Sequence, residues 1–198
     1  MSPIQKPAET EVAIHPLLQN RWSPRAFDAT HSLTRDETLS LLEAARWAPS
    51  SSNGQPWRWS FVERGSSNFA ALVEQGLTGF NAAWAPAASA LVVLSLRTLT
   101  DEGKPWPASA EFDGGLSAMQ LALQAEALGL RAHFMGGIRR DEISQVLELP
   151  ADLKVMVVIA IGRQTSEQVL PDDAARQREL AARSRLSMQE VVLHGLPR

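Results

Sequence analysis

Apolar positions along this chain follow two rhythms, separated by polar breakers. Thr34-Arg35-Asp36-Glu37 is a capping box, with Thr34 as N-cap and Glu37 as the third helical residue. Leu39, Leu42, Ala45 and Ala48 follow at helical spacing until Pro49 stops the helix. Trp57–Glu63 alternates and predicts a strand, followed by a turn at Arg64-Gly65-Ser66. Phe69, Leu72 and Val73 predict a helix over Asn68–Gly76. Ser89–Leu96 is a Val/Leu-rich run, which predicts a strand buried on both faces. Ala110–Leu128 is the strongest helical segment, with Leu116, Met119, Leu123 and Ala127 as its apolar stripe and Gly129 as its cap. Gly114-Gly115 inside it costs about 2 kcal/mol relative to alanine. Close contact with another helix, a second subunit or a cofactor would account for the pair.

Further on, Arg131–Met135 predicts a short strand ended by Gly136-Gly137, and Arg140–Glu148 a short helix bounded by Pro150. Lys154–Ile161 predicts a second buried strand ended by Gly162. A short helix is expected around His15–Asn20, and no strand pattern remains after Gly162. Four strands interleaved with helices read as an α/β-type sandwich. Residues 1–12 read as a flexible arm and 13–198 as one domain, with no repeat and no linker. The dinucleotide fold and the P-loop both lack their glycine signatures.

Composition narrows the choice of partners. The chain has 198 residues, 44% hydrophobic and 21% charged, which suits a globular domain with a sizeable core. A formal charge of −3 provides no basic field for a nucleic-acid backbone. The absence of cysteine removes disulfides, thiolate nucleophiles and Cys-ligated metals. His15, His31, His133 and His194 are far apart and show no metal-ligand spacing, so no metal is expected. Met1–Val12 has no apolar leader pattern, and the longest apolar run, within Ala87–Leu96, is too short to span a bilayer. A cytoplasmic protein without a membrane partner is the expectation.

Polar clusters then suggest where chemistry resides. Ala48-Pro49-Ser50-Ser51-Ser52-Asn53-Gly54-Gln55-Pro56-Trp57 concentrates hydroxyls and carboxamides between two prolines. It suits either a plain helix-to-strand connection or a ligand loop. Arg21 and Arg25 flank Ser23, and Arg183 and Arg185 bracket Ser184. One such cluster is as readily a solvated surface; two on irregular segments favour an anion site, because guanidinium forks bind phosphate oxygens in pairs. Gly136-Gly137 reads as a tight turn or as backbone laid against a flat ligand. Asn81 reads as a helix cap or as a carboxamide at a ring edge. No nucleophile–base pair and no GxSxG elbow occurs. The chain thus supplies binding groups and no catalytic side chain, as expected where a cofactor performs the hard step.

These motifs together resemble the nitroreductase family, the FMN-dependent NAD(P)H oxidoreductases. Arg21-Trp22-Ser23-Pro24-Arg25-Ala26-Phe27 is similar to the family's N-terminal RRSxRxF. Ala48–Trp57 is similar to its APSxxNxQPW, and Arg183-Ser184-Arg185-Leu186 to its C-terminal [KR]xR. The resemblance implies an α+β fold, with a central, mostly antiparallel sheet flanked by helices. It also implies an intertwined homodimer with exchanged C-terminal arms and FMN at the interface. By this similarity Arg21, Ser23, Arg183 and Arg185 hold the phosphate and ribityl chain, and Arg25 reaches the pyrimidine end. Pro49, Ser50, Ser51 and Asn53 come from the other subunit, and Gln55 is a further cofactor-binding residue. Asn81 bonds the ring edge, and the amide of Gly136 or Gly137 faces flavin N5.

The implied activity is hydride transfer from NADH or NADPH, through N5, to a small planar acceptor such as a nitroaromatic or quinone, with ping-pong kinetics. A flavin-binding sensor or carrier without efficient turnover is the alternative. Two departures stand out. Trp22 replaces the family's second basic residue, and Ala82-Ala83-Trp84 stands where a lysine often follows the ring-edge Asn. Arg25 is then expected to be the only cation near the pyrimidine. Gly136 stands where some members carry an acid, so no carboxylate role is assigned there.

Overall fold

The apolar runs pair into one four-stranded sheet, and every pairing is antiparallel. The strands are β1 (Trp57–Glu63), β2 (Ala90–Arg97), β3 (Arg131–Met135) and β4 (Leu153–Gly162), in the order β1-β2-β4-β3. The computed structural model describes residues 3–195. Met1 and Ser2 of the expected arm, and residues 196–198 at the far end of the expected domain, lie outside them. The helices are α1 (Pro16–Asn20), α2 (Arg35–Arg46), α3 (Ser67–Ala71), α4 (Asn81–Trp84), α5 (Ser109–Ala127), α6 (Arg140–Val146), α7 (Asp173–Leu180) and α8 (Met188–Val191).

Strand–helix alternation alone pointed to an α/β sandwich; the register gives instead the α+β fold with an antiparallel sheet that the family resemblance implied. Neighbouring strands β1 and β2, and likewise β3 and β4, are sequential and antiparallel. Only α5 makes a true crossover, carrying the chain from β2 past β4 to β3. The helix expected over Asn68–Gly76 forms, but its second half, Leu72–Gly76, winds as a π turn.

Side-chain alternation on the central strands feeds two cores. Leu91, Val93, Val158 and Ala160 face one core with Phe27, Phe69, Leu72 and Trp84. Val92, Leu94, Ile159 and Ile161 face the other, with Leu41, Leu121 and Ala125 from α2 and α5. This period of two is why β2 reads as one unbroken apolar run. Each fully buried Val, Leu or Ile contributes roughly 1.5–3 kcal/mol.

Helix α5 buries a different face from the one its large apolar residues suggest. Its buried positions are mainly small: Ala110, Gly114, Ser117, Ala118, Ala122 and Ala125, with Leu121. Small residues allow the helix to approach the sheet closely. A Cβ at Gly114 would lie 2.8 Å from the Leu96 side chain. Ser117 Oγ donates to the Ala45 carbonyl at 2.8 Å, joining α5 to α2. The expected stripe is turned outward instead. Met119 and Ala127 are exposed, Leu116 and Leu123 half-buried, and Phe112 is 70% exposed. A Cβ at Gly115 would meet nothing within 4 Å.

One imidazole sits inside the first core. His133, on β3, is buried, and its Nδ1 lies 2.9 Å from the Pro24 carbonyl. Since a carbonyl only accepts, Nδ1 carries the hydrogen. The ring packs 4.5 Å from Trp84, which stacks on Phe27 at 6.1 Å. Burial, aided by the positive charge of Arg25 and opposed by the bonds to the Pro24 and Ser23 backbone, pushes its pKa down to about 4. The unfolded imidazole titrates near 6.5, so on acidification the unfolded chain takes up a proton that the folded chain refuses. His133 should therefore cost no stability above pH 6.5 and progressively more as the pH falls towards 4, reaching about 3 kcal/mol. Urea unfolding of wild type and His133→Gln across this range checks it. The variant should lose that part of the pH dependence, and an unchanged slope would contradict the assignment.

Candidate functional site

The segment Arg21–Phe27 is extended because it is stitched to the end of β4. Asp28 N–H donates to the Arg163 carbonyl and Thr165 N–H to the Ala26 carbonyl, each at 2.9 Å. Burial alternates along it. Trp22, Pro24 and Ala26 point inward, while Arg21, Ser23 and Arg25 are partly exposed on the opposite side. Trp22, at the family's second basic position, is buried beneath the Lys6 ammonium, 4.3 Å from its ring centroid.

The arginines of the C-terminal motif come to this exposed side. Burial lowers the pKa of Arg21, and the charges of Arg183 and Arg185 lower it further. Burial likewise lowers that of Arg183, with Arg185 adding to it. Charges act on one another this way only when close, so guanidinium groups from both ends of the chain lie near each other. Arg183 Nη1 is fixed by the Lys6 and Gln19 carbonyls, at 2.7 and 2.8 Å. The nearest compensating charge is Glu126, which is already bonded to Arg131 at 2.8 Å. Its burial raises its pKa, against the pull of Arg131, Arg21 and Arg183. Among the described residues none of Arg21, Arg183 and Arg185 forms an ion pair. The cluster therefore carries excess positive charge, which suits a phosphate.

Arg25 extends this surface towards Asn81. Its guanidinium lies 5.6 Å from the Phe80 ring centroid, and that of Arg178 lies 4.6 Å from the same ring. Asn81, next in sequence, directs Nδ2 at the Gly137 carbonyl, 3.4 Å away. Gly137 is packed closely, since a Cβ there would lie 3.1 Å from Thr78 Oγ1 and 3.3 Å from Asn81 Nδ2. A Cβ at Gly136 would stand in open space. Neither glycine N–H has a backbone acceptor among the described residues. Trp84, where the family often has a lysine, is buried in the core, so that cation has no counterpart there. Arg178 supplies a second one near Arg25, and Arg25 is accordingly not the sole cation of this region.

The polar loop lies elsewhere. Ser52, Asn53 and Gln55 all have φ between 51° and 54°. Outside glycine, left-handed backbone costs roughly 1–2 kcal/mol per residue, so three in four residues mark a constrained loop. Besides its own backbone turns, side chains hold it: Ser50 Oγ accepts the Gln55 N–H at 3.0 Å, and buried Asp113 accepts the Ser51 N–H at 3.2 Å. Pro49, Ser51, Ser52 and Asn53 remain exposed. Asp113 lies in the first part of α5 and Glu126 at its end. At 1.5 Å per residue the loop and the arginine cluster are about 20 Å apart. One chain thus brings together Arg21, Ser23, Arg25, Asn81, Gly136, Gly137, Arg183 and Arg185, and keeps the Pro49–Gln55 group apart.

Residues not singled out from the sequence complete the site. Glu179 on α7 is buried and accepts the Arg25 N–H at 2.9 and 3.0 Å and the Ala26 N–H at 3.2 Å. His133 holds the Pro24 carbonyl, and Asp113 holds the loop. The spacing of Glu179 four positions after buried Ala175 was the one available clue, since it places the carboxylate on the inward face of α7.

Comparison with known proteins gives one answer. The model of the Nitroreductase family matches residues 18–75 and 67–163, well over half of the 198-residue chain. A solved structure of an oxidoreductase containing FMN is 38% identical, with a TM-score of 0.87, over 95% of this chain and 94% of that one. YdgI of Bacillus subtilis (strain 168) is 25% identical over 189 residues, covering 76% of this chain and 88% of its own length. The structure of CLA-ER, an enone reductase of a gut-bacterial fatty acid saturation metabolism, is 25% identical, with a TM-score of 0.67, over 81% of this chain and 94% of that one. With its sheet, its converging arginines and these relatives in agreement, the chain belongs to the nitroreductase family of FMN-dependent oxidoreductases.

Proposed function

We propose that this protein works as a homodimeric NAD(P)H:FMN oxidoreductase acting on a small planar acceptor. The observation that carries the reading is one strip of chain surface, positive at one end and rich in carboxamide and glycine at the other. Arg21, Ser23, Arg183 and Arg185 hold the phosphate and ribityl chain, where positive charge lacks a protein partner. Arg25 holds the pyrimidine end, Asn81 the ring edge, and the amide of Gly136 or Gly137 the side of N5. The residues fit the cofactor in two respects: guanidinium forks match a phosphate, and the open space over Gly136 leaves backbone free to approach a flat ring.

When bound, FMN supplies the redox step, accepting a hydride from NADH or NADPH and passing it to a nitroaromatic, quinone or similarly conjugated acceptor in ping-pong order. The chain's own contribution is to bind and orient. A fixed guanidinium near N1 and O2 favours the negative charge of reduced flavin. No side chain is assigned as an acid or base.

The second copy is needed because Pro49, Ser50, Ser51, Asn53 and Gln55 sit at the far end of α5 from the arginines. In a dimer this loop of one subunit reaches the arginine strip of the other. The outward face of α5 is the surface offered for pairing. Phe112, Gly115 and Met119 lie on it, beside a cleft of about 280 Å³ lined by Leu94, Leu96, Phe134 and Met156.

Anaerobic mixing of the purified yellow protein with NADH and then NADPH should bleach the visible flavin band. No bleaching with either donor would leave a flavin carrier. Arg25→Ala should weaken FMN binding and lower the flavin midpoint potential, and an unchanged potential in a redox titration would refute that role. Gly115→Arg leaves the single chain unstrained, because its side chain starts in open space. It should convert a sedimenting dimer into a monomer that retains little FMN; a variant that remains dimeric would refute this pairing surface.

A further inference from the structure

Glu179 is a fully buried carboxylate, and the charges that act on it are those of Arg25 and Lys6. Both oxygens accept the Arg25 N–H, one also accepts the Ala26 N–H, and Oε2 lies 3.8 Å from Arg25 Nη1. Its own carbonyl accepts from Lys6 Nζ at 2.7 Å. It thus ties together the N-terminal arm, the Arg21–Phe27 strip and the helix leading to Arg183. The Arg25 guanidinium lies between this carboxylate and the Phe80 ring, with Arg178 over the same ring.

A carboxylate taken out of water is tolerated only when it is fully bonded and charge-paired. Burial raises its pKa, while the two amides, Arg25 and Lys6 oppose that rise. Two consequences follow for Arg25. Its backbone cannot shift without stranding two N–H groups, so its side chain starts from a fixed point. Its charge is also partly offset by a negative charge on the side of Glu179.

We propose that Glu179 is the positioning residue for Arg25: it fixes where this cation stands and moderates how strongly it favours reduced flavin. This rests on the reading of Arg25 as the cation at the pyrimidine end. A merely structural Glu179 would affect stability alone, whereas this role also sets a potential.

The test compares wild type, Glu179→Gln and Glu179→Asp as flavin-loaded proteins, by FMN titration and by midpoint potential against a reference dye. Glu179→Gln keeps the shape and removes the charge. It should raise the midpoint potential above wild type and weaken FMN binding about tenfold. Glu179→Asp keeps the charge and shortens the reach. It should weaken FMN binding and, because the charge is kept, move the potential less than Glu179→Gln does. A Gln variant with the wild-type potential would overturn the proposal, even if it melted earlier. Should the Gln variant fail to fold, the Asp variant decides, and FMN affinity equal to wild type would overturn it. A wild-type protein that binds no FMN would instead sink the flavin reading itself, so the two failures are distinguishable.

Discussion

The proposed site depends on one constraint: the like charges of Arg21, Arg183 and Arg185 are held on one side of the fold. Like charges brought together from opposite ends of a chain stay together only if the scaffold forces them. Here the force is applied through backbone. Arg183 is held by two carbonyls, and the Arg21–Phe27 strip is sewn to the end of β4. The strip is held from beneath by His133 and from the side by Glu179. The remaining repulsion is what an anionic ligand relieves. On the proposed function, the free energy spent in assembling the cluster becomes selectivity for a phosphate.

The same logic explains the two-sided core. Alternation on β2 and β4 buries both faces, which makes the sheet a rigid plate. Binding groups placed at its edges and strand ends then keep fixed separations. Helix α5 acts as a spacer on that plate, with the strained Ser50–Gln55 loop near its start and the arginine cluster at its end. A rigid spacer prevents one chain from closing both groups on a single ligand, which is the ground for the proposed second copy.

Much of this was legible in the sequence, for identifiable reasons. Strands β2 and β4 were readable because continuous Val/Leu/Ile runs have few other uses in a chain of this size. The capping box at Thr34 and Glu37 forms as expected because its bonds are local. Arg21, Ser23 and Arg25 were readable as a set because two guanidinium groups flank a hydroxyl within five residues; that the strip is extended, with alternate positions on one side, emerged only in the fold. The buried face of α5 was misjudged because the large residues are turned outward and small ones make the closest contact. Strand–helix alternation by itself hid the sheet direction, since helices can join antiparallel neighbours as readily as parallel strands; the antiparallel sheet came from the family resemblance and is what forms. Glu179 and His133 were illegible for a deeper reason. Each bonds a backbone group more than 100 residues away, and nothing local to either residue marks that partner.

The central claim is that the converging arginines recognise a phosphate group. Calorimetric titration of the apoprotein with FMN and with riboflavin tests it most directly, because the two ligands differ only in that phosphate. FMN should bind much more tightly, with an advantage that shrinks as salt is added. Equal affinity for the two flavins would contradict it.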